Sequence, residues 1–456
     1  MIYKLTCLST ALFLLHLSAA AQSFTISSNQ RYLLKDGKPF FWLGDTAWEL
    51  FHRLDREEAD YYLQKRASQG FTVIQAVVLA EFDGLNAPNR YGHLPLLDND
   101  PSRPNEAYFE QVDYIIDRAA TLGLTIGLLP TWGDKVFKNS WGKGPEVFNV
   151  DNARIYGRWI GNRYKSKSNV IWILGGDRNP RAGTPDAAIW RAMAAGVEEG
   201  TGGPEKAMIT YHPQPNEAGA SEWFHDDSWL DFNMFQTGHC RDGGHYEKIQ
   251  RAYDRQPTKP VIDGEPIYED HPVCFNVKEY GTSNAYDVRK AAYLHLFAGA
   301  FGHTYGCHDV WQMYSIKYES VNGPNVYWPM ALDLPGARQM QHVRKLMESR
   351  PLLDRVPDQS IIVEKDYFPA DRIQATRGRD YAFVYSASGR PFTVNMGKIS
   401  GTILNAAWYN PRTGEAEKVD AVENKGQHLF TPPRKGYGQD WVLIMDDAAK
   451  NYPLPK

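Results

Sequence analysis

Cysteine is scarce in this sequence, with 4 residues among 456, and no two of them stand in a C-x-x-C arrangement. That excludes a small disulfide scaffold and a thiolate-rich zinc module. Neither sign of charge dominates: 50 Lys and Arg stand against 54 Asp and Glu, a formal net charge of −4. Nothing in that balance favours nucleic acid or an anionic membrane surface as a partner. Beyond the N-terminus no apolar run is long enough to cross a bilayer. No Gly-rich dinucleotide fingerprint follows the first strand-like run, so a doubly wound nucleotide-binding sheet loses its main support and no cofactor is expected.

What is present is an ordinary core-forming composition, 43% hydrophobic, in a chain sized for one large domain and a smaller one. Aromatic residues are plentiful: 13 Trp, 26 Tyr and 20 Phe. Most pack cores, but aromatic faces also stack on sugar rings. Residues 1–21 read as a cleaved signal peptide. Lys4 gives a weak positive region, Ala11 to Leu17 an apolar core, and Ala19-Ala20-Ala21 a small-residue cleavage site. Export to the periplasm or beyond is therefore expected. Three cysteines then remain, Cys240, Cys274 and Cys307, and they read as buried thiols rather than a disulfide framework.

From Pro39 onward, short apolar runs alternate with helical patterns. The runs are Phe40 to Gly44, Phe71 to Val78, Thr125 to Pro130, Val170 to Leu174, Met208 to His212, Phe232 to Gln236, Pro260 to Glu265 and Gly302 to Gly306. A helix between the first two is opened by Asp55 with Glu58 three residues later, the spacing of a capping box. Eight such units over about 300 residues predict a (β/α)8 TIM barrel, residues 22–350, closed by a helix from Pro335 to Ser349. After that the texture changes. Runs at Ser360 to Val363, Ile373 to Thr376, Tyr381 to Tyr385, Phe392 to Asn395, Leu404 to Tyr409 and Trp441 to Met445 are separated by turn residues. They predict a small antiparallel β-sandwich over residues 351–456.

Active sites of such barrels lie at the C-terminal ends of the strands. The polar residues there include Asp45, Glu81, Trp132, Asp134, Asp177, Arg178, His212, Gln236, His239, Glu265, His308 and Asp309. Two stand out. Asp177 ends the fourth run behind Gly175-Gly176, and Glu265 ends the seventh in Asp263-Gly264-Glu265-Pro266. Carboxylates facing each other across a barrel mouth are what glycoside hydrolysis needs: one protonates the leaving oxygen, the other attacks the anomeric carbon or activates water. Asp263, two residues before Glu265, is expected on the same side of the strand and one layer deeper, paired or hydrogen-bonded. Glu265 has the longer reach and is taken as the nucleophile.

At these residues the sequence resembles a known family. Trp42-Leu43-Gly44-Asp45-Thr46-Ala47-Trp48, Ile173-Leu174-Gly175-Gly176-Asp177-Arg178-Asn179-Pro180 and Asp263-Gly264-Glu265-Pro266 look like glycoside hydrolase family 140, the apiosidases. The likeness extends to Trp408-Tyr409-Asn410-Pro411-Arg412-Thr413-Gly414 in the C-terminal region, and some related proteins carry a collagen-binding label. The resemblance implies cleavage of D-apiose linkages in side chains of the pectin rhamnogalacturonan II. It implies Asp177 as acid/base and Glu265 as nucleophile of a retaining mechanism.

Other rim residues are candidate substrate contacts. Asp45 and Trp48 would hold a sugar hydroxyl and a ring face, or form a packed Trp over a structural Asp. Trp132 and Trp311 are stacking platforms or core; His212, Gln236 and His239 bond the sugar or orient the carboxylates. His308-Asp309 finds no third ligand at suitable spacing, so no metal is expected. The expected partner is a polysaccharide or oligosaccharide. Two rival readings stay open: a glycosidase for another plant or host glycan, such as an arabinofuranoside, and a non-catalytic carbohydrate-binding or adhesive protein on a degenerate barrel.

Overall fold

The computed structural model describes residues 24–365 and 368–455. The expected leader, residues 1–21, lies outside the described residues. No described helix is long and apolar enough to cross a membrane.

Eight parallel strands form the barrel: β1 (Leu43–Thr46), β2 (Val73–Leu79), β3 (Thr125–Thr131), β4 (Val170–Gly175), β5 (Ile209–His212), β6 (Asn233–Gln236), β7 (Val261–Glu265) and β8 (His303–Tyr305). Six are hydrogen-bonded in the order β8-β1-β2-β3-β4-β5, so the last strand pairs with the first, and β6 pairs with β7. Two joints interrupt the ladder. At the first, Asp231 N donates to Ile209 O (2.9 Å), and Thr210 Oγ1 donates to Phe232 O (2.6 Å). At the second, Phe301 N donates to Val261 O (2.9 Å). Both sets of bonds lie at the N-terminal ends of the strands. There Trp42, Phe232 and Phe301 also meet edge to face and close that end of the barrel, with centroids 5.4–6.3 Å apart.

The expected first strand is displaced. Phe40 ends a strand of a small antiparallel sheet (Phe24–Ile26, Leu33–Lys35, Lys38–Phe40), and β1 begins only at Leu43. The capping box is present: Asp55 accepts from Glu58 N (2.9 Å) and Glu58 reaches back to Asp55 N (3.2 Å), opening the helix Arg56–Ser68. Its buried face carries Tyr62 and Arg66.

The C-terminal region is a six-stranded antiparallel sheet facing a two-stranded one, Phe392–Asn395 with Gln427–Phe430. Alternation along its strands serves two cores. Ala382 and Val384 pack with Trp408, Leu443 and Met445 inside the sandwich, whereas Tyr381, Phe383 and Tyr385 turn to the barrel. Tyr385 stacks on Tyr293 of the barrel helix Ala285–Phe297 (5.0 Å), and Arg289 of that helix makes a buried two-pronged pair with Asp440 (2.9 and 2.6 Å). Val363 lies outside any strand and Gln359–Ile361 is a 3-10 turn; Ile362 makes an isolated bridge to Val394, and Val363 N donates to Thr393 O (3.0 Å). Two strands escape the hydrophobic pattern, Ala416–Glu423 and Gln427–Phe430, because their residues are mostly exposed.

Candidate active site

The segment Gly175-Gly176-Asp177 leaves β4 with three consecutive left-handed residues, at φ 87°, 110° and 52°. Asp tolerates that region better than most side chains. The glycines are needed for packing: a Cβ on Gly175 would lie 2.4 Å from His212 O, and one on Gly176 would lie 2.7 Å from the Trp132 ring. Backbone bonds lock the turn between its neighbours, from Gly133 N to Gly176 O (3.0 Å) and from Gly176 N to His212 O (2.9 Å). The glycines thus draw Trp132 and His212 against the chain, and Asp177 is delivered onto that support.

Glu265 is placed by a different irregularity. The register of β7 on β6 slips between Asp263, opposite Phe235, and Glu265, opposite Gln236. This bulge breaks the alternation that would have put Asp263 beneath Glu265. Asp263 instead is held by Thr237 Oγ1 (2.5 Å) and by His295 Nδ1 (3.1 Å), which belongs to the outer helix Ala285–Phe297. Glu265 alone turns to the mouth.

Asp177 and Glu265 line one cavity of about 580 Å³ with Trp48, Trp132, Gln236, His239 and Trp311. His212 sits beneath it, fully buried between Trp48 and Trp132 (ring centroids 5.4 and 5.9 Å). Its Nδ1 accepts from Asp177 N (3.4 Å), so the ring proton is on Nε2, which lies 3.1 Å from Glu265 Oε2. His239 Nε2 lies 3.2 Å from Glu265 Oε1. Neither contact has the alignment of a full hydrogen bond. Asp45 is the exception among the expected contacts. It is fully buried away from the cavity, bonded by Arg66 Nε (2.7 Å) and Tyr62 OH (2.5 Å), and so is not a sugar ligand.

The two carboxyl groups are driven apart electrostatically. Burial, followed by the negative charge of Glu265, pushes Asp177 up to about 6, against the opposing pull of Arg178, His212 and Trp141. Burial also works to raise Glu265, but contact with His212 and His239 outweighs it and holds the group down at about 2. Near pH 5 one is largely protonated and the other ionised.

Several cavity residues were given no role from sequence. Glu81, a strand-end carboxyl, is pushed well above its ordinary range by burial and by Asp177 and Asp134. Trp141 donates its indole N–H to Asp177 Oδ2 (3.1 Å) from a loop ten residues beyond β3. Tyr268 and Phe275 come from the loop after β7. That loop is tied to the one after β6 by a Cys240–Cys274 disulfide, which corrects the reading of three free thiols; among the described residues only Cys307 is free, and it is buried. Sequence spacing carries no sign that Cys240 and Cys274 have Cα atoms 4.6 Å apart. Trp132 Nε1, Gln236 Oε1 and His239 Nδ1 belong to cavity-lining residues and are buried without a hydrogen-bond partner in the protein. A ligand rich in hydroxyls would satisfy them.

A (β/α)8 barrel with two oppositely tuned carboxyl groups in such a cavity defines the class: this is a glycoside hydrolase. Residues 27–354 match the family model "Apiosidase-like, catalytic domain", and residues 356–446 match "Putative collagen-binding domain of a collagenase". The chain belongs to the apiosidase-like family. A solved structure titled "Glycoside hydrolase" is 36% identical, with TM-score 0.86 over 94% of this chain and 98% of the other. A glycoside hydrolase family 5 structure from Bacteroides vulgatus matches equally, covering 94% of each chain. A β-L-arabinopyranosidase of family 27 from Geobacillus stearothermophilus, 13% identical at TM-score 0.51, covers 89% of this chain and 97% of its own and shares the fold alone. No curated protein matches the chain.

Proposed function

We propose that the protein is a retaining apiosidase of glycoside hydrolase family 140, exported to act on rhamnogalacturonan II side chains of pectin, with Glu265 as nucleophile and Asp177 as acid/base. The observation that carries this reading is the pair itself, two carboxyl groups in one cavity whose surroundings set opposite protonation states. The Glu265 carboxylate attacks the anomeric carbon. As the glycosidic bond breaks, Asp177 passes its proton to the leaving oxygen. Water then attacks the glycosyl ester, giving a proton to Asp177 and freeing Glu265. The match to an apiosidase-like model supports apiose as the sugar.

The test is incubation with rhamnogalacturonan II oligosaccharides, with the released sugar identified and its first-formed anomer read by NMR. Apiose released with retained configuration is expected. Glu265→Gln should abolish release. Asp177→Asn should retain a burst of leaving group on an activated apioside and then stall. Release of another sugar would move the specificity elsewhere, and binding without turnover by the wild type would favour an adhesive protein.

A further inference from the structure

We propose that Trp141 is a positioning residue for Asp177 and that the open face of its indole forms the wall on which the leaving-group part of the glycan packs. This rests on the assignment of Asp177 as the acid.

Asp177 Oδ2 receives two donors, Trp141 Nε1 at 3.1 Å and Arg178 Nη1 at 3.2 Å. The Arg178 guanidinium also lies over the Trp141 ring, 4.8 Å from its centroid, so indole, guanidinium and carboxylate form one closed set of contacts. The loop that carries Trp141 is built onto the same arginine. Arg178 donates to Phe137 O (2.9 Å) and Lys138 O (3.0 Å), while Asp134 Oδ2 accepts from Lys143 N and Gly144 N (both 3.1 Å). Gly142 is required in that turn, since a Cβ there would lie 2.1 Å from Lys138 O. The result is a tryptophan whose edge is fixed on the carboxylate but which remains 44% exposed at the cavity.

An acid must touch the oxygen it protonates, so a group bonded to that acid at the cavity rim borders the leaving portion of the substrate. An exposed indole suits the apolar face of a sugar there. The N–H also stabilises the ionised form of Asp177, which is the form that must take a proton from water in the second step.

Trp141→Phe keeps the ring and removes the donor. Carbon-13 NMR titration of the Asp177 carboxyl should show its midpoint raised by about half to one pH unit, whatever the substrate. The basic limb of kcat/KM should move up with it, while KM changes less than about twofold. Trp141→Ala should show the same rise and, in addition, a several-fold higher KM on oligosaccharides but not on a methyl glycoside of the same sugar. An unshifted Asp177 midpoint in folded Trp141→Phe would overturn the positioning role. Equal KM effects of Trp141→Ala on both substrates would overturn the wall. Should Asp177→Asn turn over glycan like wild type while the midpoint still shifts, the fault lies with the assignment of the acid and not with the Trp141 contact.

Discussion

His212 Nε2 lies 3.1 Å from Glu265 Oε2, and the opposite nitrogen of the same ring accepts the backbone N–H of Asp177. One imidazole therefore joins the two carboxyl-bearing residues, and its tautomer is fixed by one so as to face the other.

His212→Phe removes that contact and keeps a ring between Trp48 and Trp132. Burial would then act on Glu265 with less opposition, raising it from about 2. The acidic limb of kcat/KM should climb by about one unit or more, with the basic limb moving less. A pH profile of the variant on any turned-over glycoside checks this. An acidic limb left in place would show that His239 alone keeps Glu265 ionised.

Much of this site was legible in sequence for a simple reason. Strand ends in a parallel barrel open on one side, so Asp177, Glu265, Gln236 and His239 could be assigned from position alone. Asp45 obeys the same positional rule, yet Arg66 lies in the following helix on the face that reaches back to β1, and the pair is consumed inside the fold. Asp263 is paired as expected, but its direction failed because alternation assumes an unbroken strand, and the bulge at Gly264 breaks it. Trp141 could not be found because a loop residue ten positions past its strand has no periodicity to place it.

The Asp45–Arg66 pair makes a stability prediction. Both side chains have no solvent exposure. Asp45→Ala leaves the guanidinium without its carboxylate and should cost about 3–5 kcal/mol. Chemical unfolding would show it as a lowered midpoint. Since Asp45 is outside the cavity, kcat/KM measured well below the melting temperature should stay within a few-fold of wild type. A large loss of activity in fully folded protein would return Asp45 to the substrate site.

Asp177 works in the opposite direction. Its folded value of about 6 lies above the ordinary aspartate value of 3.8 that holds in the unfolded chain. The ionised form is disfavoured by folding, so the penalty is full above pH 6 and absent below about 3.8. Asp177→Asn removes it and should stabilise the protein at pH 8 by about 1–3 kcal/mol, less whatever the lost Arg178 contact contributes. At pH 4 most of the gain should vanish. Urea midpoints of both proteins at the two pH values decide the matter, and a difference of the same size at each would mean that the effect is not one of proton linkage.

Gly176 and Gly183 separate backbone strain from packing. Both adopt left-handed φ, at 110° and 73°, and both would be strained by alanine. Gly183 is exposed, with nothing within 4 Å of an added Cβ, whereas at Gly176 that atom would meet the Trp132 ring at 2.7 Å and Gly133 N at 2.9 Å. Gly183→Ala should therefore cost about 1 kcal/mol and leave turnover near wild type. Gly176→Ala carries the same kind of backbone cost and must also displace Trp132, the Gly133 bond or the turn that holds Asp177. Its loss of stability should be larger, about 2–4 kcal/mol. Its loss of kcat should be larger still, at least about a hundredfold, because a displacement of roughly 1 Å at a reacting group is enough for that. Thermal melts and steady-state kinetics on the two variants test the comparison. If Gly176→Ala lost no more activity than Gly183→Ala, the close approach of Trp132 to the β4 turn would have no part in placing the acid.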